Sequence, residues 1–80
     1  MTDPVNKPAH YNQSDIECID AIEAMTKNMS GAIAPHAANV LKYMWRCEYK
    51  NGQEDVDKMV WYALRFQQRF REMRKWESLA

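Results

Sequence analysis

The chain has 80 residues with a 46% hydrophobic content, and its 11 basic and 11 acidic residues cancel. This length allows one domain with a small core, which self-association commonly stabilises. Zero net charge argues against a protein that coats nucleic acid, and no apolar run approaches the roughly 20 residues of a membrane span.

The N-terminal residues lack the apolar segment of a signal peptide, which predicts a cytoplasmic protein. Its two cysteines, Cys18 and Cys47, fall on apolar helix faces and are expected to be buried free thiols. Charge is unevenly distributed, because residues 1–40 hold two basic and five acidic groups whereas residues 41–80 hold nine and six. Such opposite poles favour head-to-tail or antiparallel docking.

An irregular N-terminal arm is predicted over residues 1–13, followed by a single helical domain over residues 14–80. Ser14 and Glu17 have the spacing of a capping box, which predicts a first helix over about 15–26. The side chains expected on its buried side are Ile16, Cys18, Ile19, Ala21, Ile22 and Met25.

A second helix is predicted over about 35–48, with Pro35 in its first turn and Asn51-Gly52 after its end. A third helix over about 53–76 begins with an acidic turn that suits the helix dipole. Its expected apolar stripe is Val56, Met59, Val60, Ala63, Phe66, Phe70 and Met73. The third helix is about twice as long as the others, so the predicted fold is all-α, with three helices and a long C-terminal helix that extends into an oligomer interface. That homo-oligomer interface is expected to use Phe66, Phe70 and Met73.

The second helix also carries a polar face opposite its apolar stripe. Asn39, Lys42, Tyr43 and Arg46 fall within about 100° of arc. Arg and Lys suit phosphate groups, so this face is interpreted as a candidate anion site from which Lys42 and Arg46 could be removed without unfolding the protein. The alternative is a solvated face on which Arg46 pairs with a nearby acidic residue.

A second polar face is predicted on the third helix, where Lys58, Tyr62, Arg65 and Arg69 align and Trp61 lies beside them. Aromatic rings interleaved with Arg can stack on a base and bind phosphate. An oligomer interface is the alternative, since Trp, Tyr and Arg are also enriched there.

Metal sites are weaker candidates. Glu17, Asp20 and Glu54 could supply oxygen ligands to Mg²⁺. A solvent-exposed face on the first helix and a favourable interaction with the dipole of the third helix also explain these acidic residues. A zinc site could by count use His10, Cys18, His36 and Cys47, but these residues lack the close spacing of structural zinc sites, which predicts no tightly held metal. The sequence has no Gly-rich phosphate-binding loop, and it identifies no catalytic residue.

Four ordered blocks carry a resemblance to a known family. They are Pro8-x-His10-Tyr11, Ile16-Glu17-Cys18-Ile19-Asp20-Ala21-Ile22, Asn39-x-x-Lys42-Tyr43-x-Trp45-Arg46 and Lys50-Asn51-Gly52-x-Glu54-Asp55-Val56-x-Lys58-x-x-Trp61-Tyr62-x-x-Arg65. Over residues 5–66 the chain is similar to a small domain of unassigned function from tailed phages and prophages, whose members often carry the label "nucleotide kinase".

The resemblance implies a phage-encoded accessory protein that acts in the cytoplasm of the infected host cell and binds a nucleotide or another phosphate-bearing molecule. Its ligand-binding residues would be His10, Tyr11, Asn39, Lys42, Tyr43, Arg46, Tyr62 and Arg65. The label implies a nucleoside monophosphate kinase, with Mg²⁺ as its candidate cofactor. This chain departs from the family pattern in the Ala-rich loop 27–36 and in the basic tail after Arg65.

Two other functions are compatible with the same sequence. The chain could inhibit a host enzyme or defence system by covering a protein surface, using the Trp, Tyr and Arg side chains of the third helix. It could also sequester a nucleotide without turnover.

Overall fold

The computed structural model describes residues 15–79, and side-chain burial is described for residues 15–75. Three helices follow one another, α1 at Cys18–Thr26, α2 at Ala34–Arg46 and α3 at Gln53–Leu79. Helix α2 lies in the middle and packs against both α1 and α3. Residues 15–79 contain no strand, which confirms the predicted all-α fold of three helices.

Helix α1 begins three residues later than predicted. Glu17 is its N-cap, with extended backbone (ψ 147°) and no side-chain hydrogen bond to the first turn, so its expected position inside a capping box is wrong. Ser14 lies outside the described residues. The expected buried side is correct for Cys18, but Ile16 and Ile19 are more than half exposed. A helix of nine residues that packs mainly on one neighbour can bury only a narrow arc of its surface.

Helix α2 starts one residue earlier and ends two residues earlier than predicted. Its first turn contains Pro35, as the sequence indicates, and its buried residues are Ala37 and Arg46. The buried apolar side chains among residues 15–75 are Cys18, Ile33 and Ala37. The core formed by the described residues is therefore small.

No helix of the described residues is long and apolar enough to cross a membrane.

Helix α3 is rotated relative to the orientation that its apolar stripe predicts. Val60 and Phe70 are 46% and 40% exposed, and Ala63 is exposed as well. The helix turns Asp55 and Tyr62 toward α2 instead. The expected stripe is wrong for these exposed positions because an ion pair and an aromatic stack, which apolar periodicity does not detect, fix the orientation of α3.

The turn at residues 47–52 joins α2 to α3 and depends on Gly52. This glycine has a φ of +54°, in the left-handed region that side chains disfavour. Its N–H donates to the carbonyl oxygen of Cys47 at 2.7 Å, and its own carbonyl accepts from the N–H of Val56 at 3.1 Å. Gly52 therefore reverses the chain and starts α3 in one step.

We expect Gly52→Ala to lower the free energy of unfolding by about 1 kcal/mol, because Ala must adopt the same left-handed backbone. A Cβ at this position would meet no atom within 4 Å, so the loss comes from the backbone alone. Gly31→Ala is the matched control, since Gly31 lacks a positive φ and its site is equally open. Urea unfolding measures both variants, and an equal loss in the two would contradict the role of Gly52.

Candidate functional site

The two polar faces predicted on α2 and α3 pack against each other. The rings of Tyr43 on α2 and Tyr62 on α3 are stacked, with centroids 5.8 Å apart and planes 13° apart. His36, two turns earlier on α2, lies on the other end of this stack at 6.4 Å from Tyr62. We call His36, Tyr62 and Tyr43 the aromatic ladder. It joins two faces that the sequence treats as separate.

Three cations surround the Tyr43 end of the ladder. The Nζ atoms of Lys42 and Lys58 lie 4.4 and 5.6 Å from the ring centroid of Tyr43, and the guanidinium carbon of Arg46 lies 4.8 Å from it. These distances are in the range of cation–π attraction. The structure thus gathers positive charge around one aromatic ring.

The three cations differ in how far their charge is neutralised. Lys58 forms an ion pair with Glu54 at 3.0 Å, and hydrogen bonding to Glu54 raises the pKa of Lys58 although partial burial opposes it. Lys42 has no carboxylate within ion-pair distance among the described residues. Lys42 is therefore the cation of this cluster whose charge is not neutralised by a neighbouring carboxylate of the described residues, and it is the best placed to attract an anionic ligand.

Arg46 is engaged in the interior. Its Nε and one terminal nitrogen donate to the two carboxylate oxygens of Asp55 at 3.3 and 3.1 Å. Asp55 is 0% exposed and Arg46 7% exposed. The expectation that Arg46 lies on a solvent-facing surface is wrong, and pairing with a nearby acidic residue is what the structure shows. The partner comes from α3.

Asp55 also stabilises the turn that precedes α3. Its carboxylate accepts from the backbone N–H and the side-chain amide of Asn51, at 3.2 and 3.4 Å. Burial alone would raise the pKa of Asp55, but hydrogen bonds from Arg46 and Asn51 outweigh it and hold the pKa below its usual value. Asp55 lies in the first turn of α3 and Arg46 in the last turn of α2, where each charge suits the helix dipole.

An open cleft of about 490 Å³ lies at the His36 end of the aromatic ladder. Its lining residues are Gly31, Ala32, His36, Arg69, Glu72 and Met73. Arg69 and Glu72 form an ion pair at 2.9 Å on α3. The Nδ1 atom of His36 is buried and has no hydrogen-bond partner among the described residues.

The other predicted site residues lie at the edge of this cluster or outside the described residues. Asn39 is half-buried on α2, and Arg65 donates to the Gln68 side chain at 3.3 Å. His10 and Tyr11 lie outside the described residues. Among residues 15–79, no three His, Cys, Asp or Glu side chains come close enough to hold a metal ion, and this includes the Mg²⁺ candidates Glu17, Asp20 and Glu54.

The buried thiol of Cys18 lies near the same cluster. Burial raises its pKa, and the positive charge of Lys42 opposes that rise. Cys47 is half-buried, and its thiol donates to the carbonyl oxygen of Met44 at 3.4 Å. Both are free cysteines, as the sequence predicts, although Cys47 is less buried than expected.

Sequence reasoning missed two residues of the site. Asp55 was interpreted only as a charge at the start of a helix, and His36 only as a remote zinc ligand. The detectable signal for Asp55 is its position, since a basic residue ending one helix and an acidic residue starting the next meet across a tight turn. His36 gives no comparable signal, because its exposure and orientation depend on how α3 packs.

These observations define a small all-α protein whose second and third helices enclose a cluster of stacked rings and cations. Residues 5–64 match the DUF3310 family, described as proteins of unknown function, and the chain belongs to this family. No curated protein and no solved structure matches the chain.

Proposed function

We propose that the chain binds a nucleotide through the cations around Tyr43 and the cleft beside His36. The observation that carries this proposal is the position of the Nζ atoms of Lys42 and Lys58, at 4.4 and 5.6 Å from one ring that also stacks on Tyr62. Two ammonium groups beside a common aromatic surface suit a phosphate-bearing ligand.

In this proposal the phosphate lies against Lys42 and Lys58. Lys42 contributes most of the attraction, because the charge of Lys58 is shared with Glu54 and Arg46 is neutralised by Asp55. Arg46 acts by holding Tyr43 and the ends of the two helices in place. This assignment separates Lys42, which contacts the ligand, from Arg46, which positions the site.

The base of the nucleotide occupies the cleft. Its volume of about 490 Å³ is within the range of small-molecule pockets, and the His36 ring, whose Nδ1 atom has no hydrogen-bond partner among the described residues, lines it. His36 and Lys42 are six residues apart on α2, or about 9 Å along the helix axis. A nucleotide can span that separation.

Lys42→Ala is expected to weaken nucleotide binding by roughly tenfold or more, since a hydrogen bond to a charged group contributes about 1.5–3 kcal/mol. Calorimetry at low salt would compare the four ribonucleoside 5′-monophosphates with their nucleosides and with inorganic phosphate. Lys27→Ala is the matched control, because Lys27 is exposed at the end of α1 and carries the same charge.

Binding of a monophosphate, but of neither the nucleoside nor inorganic phosphate at the same concentration, supports a site with two ends. Equal binding by the wild type and Lys42→Ala contradicts the proposal. Recovery of the nucleotide unchanged indicates sequestration, and its conversion to a diphosphate in the presence of ATP and Mg²⁺ indicates the kinase activity that the phage resemblance implies. For either outcome, the place of action that we propose is the cytoplasm of an infected cell, which is what the resemblance to the phage domain implies.

A second candidate function is inhibition of a host protein. It is favoured by Trp61, which is 61% exposed and lies beside Tyr62 with the two ring planes nearly perpendicular. Trp is enriched among the residues that dominate binding energy at protein interfaces. A host protein retained by the wild type and lost with Trp61→Ala would support this function, whereas equal retention by both would contradict it.

A further inference from the structure

The outer side of α3 carries an exposed apolar strip that neither α1 nor α2 covers. Its positions repeat at alternating steps of three and four residues, which is the spacing of a coiled-coil seam. The apolar members of this outer strip are Val60, Ala63 and Phe70, with Leu64 beside them, and the polar Gln67 occupies the remaining seam position. Val60, Leu64 and Phe70 are 46%, 60% and 40% exposed.

The single chain gains little stability without covering this strip. The buried apolar side chains among residues 15–75 are Cys18, Ile33 and Ala37, and Ile16 and Ile19 at the start of the described residues are more than half exposed. Soluble monomers rarely expose contiguous apolar patches of this kind. A partner on α3 would enlarge the small core of the described residues.

The charges at the two ends of the strip indicate which partner fits. Asp57 and Arg71 lie on the same edge of α3, each seven residues from Leu64. Asp57 accepts a hydrogen bond from Gln53 at 2.8 Å, and no ion pair to Arg71 occurs within the described residues. A helix that presents an acid and a base at equal distances from one central residue is complementary to its own antiparallel copy.

We propose that two copies of this chain form an antiparallel dimer along α3, with the two Leu64 side chains at the two-fold axis. Asp57 of each copy then lies opposite Arg71 of the other. A parallel arrangement would place like charges together at both ends, which disfavours it.

This interface differs from the one that the sequence predicts. Phe66 and Met73 are half-buried within the single chain, where Phe66 stacks on Phe70 at 6.1 Å and Met73 lines the cleft. Phe70 is the residue that the two versions share. The proposed interface therefore lies on a different face of α3 from the interface that the sequence predicts. It leaves the aromatic ladder uncovered.

Sedimentation equilibrium of the full chain is expected to give twice the 9.5 kDa chain mass at micromolar concentration. Leu64→Glu should raise the dissociation constant at least tenfold, because two carboxylates would meet at the axis. Tyr49→Glu is the matched control, since Tyr49 is equally exposed, at 62%, but lies in the turn between α2 and α3 and not on the outer strip. A monomeric wild type at 100 µM, or dissociation by Tyr49→Glu in place of Leu64→Glu, would overturn the proposal.

A charge exchange tests the antiparallel register. Asp57→Arg and Arg71→Asp should each weaken the dimer, because each places like charges opposite each other at both ends. The double variant should restore association to within a fewfold of the wild type. Circular dichroism checks that each variant keeps its helices, and a double variant as weak as the singles would contradict the pairing of Asp57 with Arg71.

Discussion

Arg46→Met is expected to lower the Tm by roughly 10–20 °C, the largest effect of any single replacement considered for this chain. The physical reason is that Asp55, at 0% exposure, would keep its negative charge without the guanidinium that offsets its loss of hydration. The same replacement removes the cation over Tyr43. Thermal unfolding followed by circular dichroism measures the change.

The double variant Arg46→Met/Asp55→Leu separates the cost of an unpaired charge from the value of the pair. Replacing both partners by apolar side chains leaves no buried charge, so we expect it to recover at least half of the lost Tm. Arg46→Lys is expected to be intermediate, because an ammonium cannot donate to both carboxylate oxygens in the fork geometry of a guanidinium. If Arg46→Met and Arg46→Lys both unfold at the wild-type temperature, the pair does not hold the helices together.

The same result bears on how the nucleotide site can be tested. Removing Lys42 and Arg46 together is expected to unfold the protein, so loss of binding in that variant would not locate a ligand. Lys42 has no ion-pair partner among the described residues, and its replacement leaves the Arg46–Asp55 pair intact. Lys42→Ala is therefore the informative variant.

The helices could be predicted from the sequence because their signals are local. Pro35 and Gly52 act within one turn of their own positions, and they place both ends of α2 and the start of α3 to within two residues. Helix α1 has weaker local signals, and its start was predicted three residues early. The number and order of helices thus follow from short-range chemistry.

The orientation of the helices could not be predicted in the same way. A helical wheel assigns polar residues to the solvent side, but here Arg46 and Asp55 neutralise each other and become buried as a pair. Tyr43 and Tyr62 likewise face inward by stacking. Each of these residues has its partner on the other helix, and a pattern read along one helix contains no information about that partner.

The candidate site was accordingly predicted as two separate surfaces. Lys42 and Tyr43 were assigned to one face and Lys58 and Tyr62 to another, each with the right residue types. Helix packing brings all four around one stack of rings. The sequence could identify the chemistry of the site but could not show that the two faces form a single cluster.

Acidification below about pH 4 is expected to remove the stability that the Arg46–Asp55 pair supplies. The pKa of Asp55 in the folded chain lies below its usual value of about 3.9, so the folded state binds a proton to Asp55 less readily than the unfolded state does. The stabilisation is complete above the unfolded pKa and is lost as the pH falls through the folded pKa. The wild-type Tm should therefore drop between pH 4 and pH 2.

The double variant Arg46→Met/Asp55→Leu makes this decrease assignable to one carboxylate. It lacks the Asp55 group, so its Tm should fall less steeply than that of the wild type over the same interval, while the rest of the chain titrates identically in both. Its net charge matches the wild type at pH 7, since it loses one cation and one anion. Parallel curves for the two proteins would show that acid acts elsewhere, and a steeper curve for the wild type would identify the buried ion pair as the group that acid breaks.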